Sequence, residues 1–175
     1  MIGKAGFVLS AAALLAACTA QEQPDQAQVS NNVVQSAEAG PPLSKEQALA
    51  VMKERHEHME ALGDANKKAS NALKTSPPDL AAIRQAADEI AALAPKLQTW
   101  FPDGTGPEAG KTRAKAEVWQ KPEDFTLKAN DFETAARDFK VAADSGELTQ
   151  ISATFEALGK SCKACHDLYR APKKD

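Results

Sequence analysis

The chain has 175 residues, about one domain, and its 43% hydrophobic content is enough for one core. Aromatic residues make only 5% of it, so an alanine-rich interior buries little area per side chain and would gain from a bulky apolar ligand. A formal charge of −3, with no basic stripe to neutralise phosphates, argues against nucleic acid as a partner.

Residues 1–17 read as an export signal. Lys4 supplies one positive charge, and the apolar run behind it is too short to span a bilayer comfortably. The run ends in Leu15-Ala-Ala-Cys18, which resembles the bacterial lipobox. In such precursors the cysteine is lipidated and becomes the first mature residue, so Cys18 is the expected lipidation site. Lipid chains would tether the protein to a membrane without a spanning helix. The expected location is periplasmic and lipid-anchored. Thr19 stands where similar lipoproteins often carry an inner-membrane retention aspartate, which favours the outer membrane. Residues 18–42 are rich in Gln, Asn, Ser and Pro without apolar periodicity, the composition of a flexible tether.

Residues 43–175 form the expected functional domain, with four helical segments and no competing strand alternation. Ser44 and Gln47 make a capping box for the first, which runs to about Leu73. Ser76-Pro77-Pro78-Asp79 opens the second, with Ser76 as cap and Pro77 at the first helical position. Its stripe is Leu80, Ile83, Ala87, Ile90, Ala94 and Leu97, and Pro95 predicts a kink or an end near Ala94. A long loop follows, holding Trp119 and Phe125. The third segment is Asn130 to Ala143, stopped by Ser145-Gly146, and the fourth is Leu148 to Tyr169. The expected fold is all-α, an antiparallel four-helix bundle.

The fourth segment carries the chemistry. Ile151, Phe155, Leu158, Cys162, Cys165 and Tyr169 step by three and four, so both thiols continue the apolar face. His166 lies about 100° further round the helix, flanking that face. Two inward thiols one turn apart and an adjacent imidazole suit one covalently attached haem c, with Cys162 and Cys165 bonded to its vinyl groups and His166 on the iron. A structural zinc site needs four ligands, and the third cysteine lies in the lipobox. A thioredoxin-like pair belongs at a strand-to-helix junction. A disulfide is awkward between inward positions of one helix.

The placement of Cys162-Lys-Ala-Cys-His166-Asp-Leu-Tyr169-Arg170 on the last helix resembles the class II cytochromes c, the family of cytochrome c prime and its low-spin relatives. Arg55-His-Glu-His-Met59, Trp100-Phe101-Pro102, Trp119 and Phe125 support the resemblance, which covers roughly residues 44 to 172. Met52, Arg55, Leu62, Asn66 and Leu73 fall within about 60° of Met59 on a helical wheel, so this is the inward face of the first helix. The resemblance implies that Arg55 pairs with a haem propionate, which a guanidinium can hold bidentately. It also offers Met59 as sixth ligand. His56 and His58 are expected at the surface.

Two mechanisms follow. In the favoured one, His166 and Met59 ligate a low-spin iron that carries single electrons between redox partner proteins. In the alternative, Met59 only shields a five-coordinate iron that binds nitric oxide or carbon monoxide, as in cytochrome c prime. No nucleophile–base pair or placed acid/base carboxylates suggest an enzyme. A homodimer is left open.

Overall fold

The computed structural model describes residues 42–173. The signal segment 1–17, the lipidation site Cys18 and the tether, Pro42 aside, lie outside the described residues.

Helix α1 spans Lys45–Leu73 and begins with the expected reciprocal cap. The Ser44 hydroxyl accepts from the Gln47 amide at 3.2 Å, and the Gln47 side chain accepts from the Ser44 amide at 2.8 Å. Helix α2 spans Leu80–Leu93, and its cap is Asp79 rather than Ser76. Asp79 accepts from the Ala82 amide at 3.0 Å. The reason is local sterics: a residue before proline is disfavoured in the helical region, so Pro77, preceding Pro78, cannot open the helix. At Pro95 the expected end appears. The chain tightens into a 3-10 helix, Ala94–Trp100, which keeps Ala94, Leu97 and Trp100 buried.

A short helix α3, Glu117–Gln120, precedes α4, Pro122–Ser145. The third long helix thus starts at Pro122, not Asn130, and Phe125 belongs to it rather than to the loop. Pro122 at the first turn and Glu123 and Asp124 beside the helix N-terminus favour this early start. Gly146 closes α4 in the left-handed region, φ 76°, where a side chain would be strained. Helix α5 spans Leu148–Tyr169, as expected.

The four long helices make the bundle: α1 packs on α2, α2 on α4, and α4 on α5. Ile83, Ile90, Phe139, Ile151 and Leu158 are fully buried, each worth about 1.5–3 kcal/mol of apolar burial. Alanines 65, 69, 86, 87, 136 and 143 fill the helix crossings and let the backbones approach. Among the described residues no helix is long and apolar enough to cross a membrane. The fold class is the one expected: an all-α four-helix bundle.

Candidate haem site

On α5 the inward face holds as the spacing predicts. Ile151, Leu158 and Tyr169 are buried, while Phe155, Cys162 and Cys165 are half-buried against the core. Neither thiol is in a disulfide. Burial pushes the Cys162 thiol up, and burial followed by its neighbour Cys162 pushes Cys165 to about 11. Both are therefore neutral thiols near neutral pH, unlike the thiolates of a reactive redox pair. Burial, then the positive charges of Arg170 and Arg113, hold the half-buried His166 imidazole below its usual range. It is neutral, the form whose ring nitrogen can bind a metal. Among the described residues no cluster of three His, Cys, Asp or Glu side chains could hold a metal ion by itself.

Helix α1 contributes to the same apolar cluster. Met59, Leu62 and Leu73 are half-buried and pack on the same apolar cluster. Between the C-terminal half of α1 and α5 runs a groove of ≈ 590 Å³, lined by Asn66, Ser70, Leu73, Phe155, Gly159 and Lys163 among others. Met52 is buried instead beneath the loop, beside Gly110. His56 is exposed, as expected, 3.3 Å from Glu60. His58 departs from expectation: its ring stacks on Trp100 with centroids 4.6 Å apart, and it is half-buried. The aromatic surface of Trp100 draws it in from the flank of α1.

Arg55 is 4% exposed, unusual for an arginine. It donates to the Trp100 carbonyl at 3.3 Å, to the Thr105 hydroxyl and carbonyl at 3.0 and 2.9 Å, and to the Thr112 hydroxyl at 3.4 Å. Its guanidinium lies 4.8 Å from the Phe101 ring centre and 5.6 Å from that of Trp119. Burial lowers its pKa, with Glu108 opposing from longer range, yet an arginine stays charged. All its hydrogen-bond partners are uncharged.

The two aromatic positions anchor this loop. The Trp119 indole donates to the Phe101 and Pro102 carbonyls, 3.1 Å each. Phe125 meets Phe101 at 4.9 Å and Tyr169 at 5.3 Å, both edge-on. The Tyr169 phenol donates to the Asp124 carboxylate. Sequence reasoning missed Thr105, Thr112 and Asp124. Thr105 sits between Gly104 and Gly106, a pattern that signals a tight turn but not a buried hydroxyl.

These residues fit a covalently held haem. Two free, neutral, half-buried thiols lie one turn apart, an imidazole follows directly, and the thiols pack on the same apolar cluster as Met59 and Leu62. Arg55 departs from the expected bidentate propionate hold: its four terminal N–H groups already donate to loop oxygens, so it suits a propionate by its charge alone.

A family model described as Cytochrome C' matches residues 50–170. A cytochrome c' of Pararhodospirillum photometricum is 36% identical over 121 residues, covering 69% of this chain and 96% of that protein. The crystal structure of cytochrome c' from Thermochromatium tepidum superposes with a TM-score of 0.67 at 32% identity, covering 75% of this chain and all of that one. A second solved cytochrome c', described as having a ligand-controlled dimer dissociation, superposes equally well, with a TM-score of 0.67, 30% identity and the same two coverages. A nitric oxide complex of a variant cytochrome c prime from Alcaligenes xylosoxidans gives 0.64 at 27% identity, covering 75% of this chain and 100% of that one.

These relatives overturn the favoured expectation of a His166/Met59-ligated, low-spin electron carrier, because they are cytochromes c'. The physical reason is that Arg-x-x-x-Met spacing decides which helix face Met59 occupies, not whether its sulfur reaches an iron. A thioether packed into an apolar wall can act by volume alone. With this fold, this thiol–imidazole face and these relatives, the chain belongs to the cytochrome c' family, whose cofactor is a covalently attached haem c.

Proposed function

We propose that this protein binds a diatomic ligand, nitric oxide or carbon monoxide, at a five-coordinate haem c iron. The observation that carries the reading is that Met59 and Leu62 of α1 and the thiols Cys162 and Cys165 of α5 pack on one apolar cluster, with His166 following directly on α5. The nitric oxide complex of a structural neighbour supports it. When bound, the haem would supply an iron able to take an uncharged diatomic. Cys162 and Cys165 would hold the haem by thioether bonds, and His166 would be its protein ligand to iron. Met59 excludes water and larger ligands from the other side. Arg55, anchored in the loop, would favour a propionate by its charge. The role is binding rather than turnover.

Optical and electron paramagnetic resonance spectra test this directly. The ferric protein is expected to be high-spin, and the ferrous protein to bind carbon monoxide and nitric oxide. A low-spin ferric spectrum with no ligand uptake would overturn the reading.

The sequence motif at Leu15–Cys18 supports a lipid-anchored, periplasmic placement at the outer membrane. Labelling with radioactive palmitate should mark the wild type and not Cys18→Ser. The ligand-controlled dimer of a structural neighbour supports a homodimer here, which sedimentation with and without carbon monoxide would test.

A further inference from the structure

An α-helix leaves its last four carbonyls without partners inside the helix. For α5 these are the carbonyls of residues 166–169, and they end the helix that carries Cys162, Cys165 and His166. No glycine closes this helix, and the C-cap residue Arg170 is extended. The His166 carbonyl accepts from the Arg170 amide at 3.0 Å. The other three are satisfied by one residue outside the helix. Lys115 donates from its ammonium to the Asp167 and Leu168 carbonyls at 3.3 and 3.0 Å. Its backbone amide donates to the Tyr169 carbonyl at 2.9 Å.

Neighbouring bonds hold Lys115 in place. The Ala171 amide donates to the Arg113 carbonyl at 2.7 Å, and the Arg113 side chain returns a bond to the Ala171 carbonyl at 2.9 Å. The Ala114 amide donates to the Thr112 hydroxyl at 3.1 Å, and that hydroxyl also accepts from Arg55 on α1. The strap therefore runs from the wall bearing Met59 to the end of the helix bearing His166. A cation at a helix C-terminus also opposes the negative end of the helix dipole.

We propose that Lys115 is a positioning residue for His166, acting through the last turn of α5. By holding the three carbonyls that follow His166, it limits how far the imidazole can tilt or withdraw along its bond to iron. The proposal rests on His166 as the axial ligand of the proposed function.

The test compares haem-loaded wild type with Lys115→Met, which keeps the aliphatic stem, and Lys115→Arg, which keeps the charge and donors. Two readouts are taken: the iron–histidine stretching band of the ferrous protein by resonance Raman, and amide hydrogen exchange at Arg170 and Ala171. In Lys115→Met the band should shift and broaden, and the two amides should exchange about two- to fivefold faster. Lys115→Arg should restore both. If Lys115→Met does not fold, Lys115→Gln, with an uncharged donor, takes its place in the comparison. A lower melting temperature with an unmoved band would make Lys115 a merely structural cap and overturn the proposal. A wild type with no iron–histidine band would instead overturn the axial reading itself, before any variant is compared.

Discussion

Both terminal nitrogens of Arg55 converge on Thr105, one 3.0 Å from its hydroxyl and the other 2.9 Å from its carbonyl. Thr105 is itself fully buried, and its hydroxyl donates on to the Pro102 carbonyl at 2.7 Å. A charged side chain of α1 thus organises the loop that follows the second helix. It does so with a planar fork that no other residue type provides. The same guanidinium faces two aromatic rings, so its loss removes packing as well as hydrogen bonds.

Arg55→Met should therefore destabilise the fold by about 3 kcal/mol, because it strands buried carbonyls that accepted charged hydrogen bonds. For a domain of this size that is a fall of roughly 10 °C in Tm. Arg55→Lys should recover little of it, since an ammonium cannot reach the same set of acceptors. Thermal melting of the haem-loaded variants measures both, and a Tm unchanged in Arg55→Met would disprove the role.

If the proposed function holds, Met59→Ala should leave the ferric spectrum high-spin, because there the thioether contributes volume rather than a bond to iron. The same change should raise carbon monoxide affinity on the order of tenfold, equivalent to ~1.4 kcal/mol of removed steric opposition. Equilibrium titration of the ferrous protein reads the affinity. An affinity equal to wild type would mean that Met59 does not border the ligand.

Tyr169 is the chain's only tyrosine and is 5% exposed. Burial first, then its hydrogen bond to Asp124, push its phenol well above the usual tyrosine range. The folded state therefore favours the neutral phenol. Its contribution to stability is complete below the unfolded value of about 10 and is lost as pH rises through the folded value. Denaturant unfolding at pH 8 and pH 11 should show a steeper alkaline loss in wild type than in Tyr169→Phe. Identical slopes would show that the phenol is not held neutral by folding.

Asp79→Ala should cost about 1 kcal/mol by removing the α2 cap, while Ser76→Ala should be near neutral. Denaturant midpoints distinguish the two, and the reverse order would restore Ser76 as the cap.

These two positions show where local pattern was enough and where it was not. Ser44 and Gln47 satisfy each other within one turn, so their cap was legible from spacing alone. Ser76 presented the same residue type, but consecutive prolines delayed the helix until Asp79. The early start of α4 was missed for a different reason. Residues 122–129 show no long apolar stripe, and Phe125 is held by Phe101 and Tyr169, which are remote in sequence.

The site divides in the same way. Helical periodicity alone determined that Cys162 and Cys165 share the inward face of the last helix with His166 at its flank. It also put Met59 and Arg55 on one face of the first helix, because 3.6 residues per turn is a property of the chain. Tertiary structure decided that Arg55 is buried in the loop of Thr105 and Thr112, that His58 lies on Trp100, and that Lys115 closes α5. Each of those contacts joins residues distant in sequence. Periodicity states which way a side chain points, and only the packed chain states what it meets there.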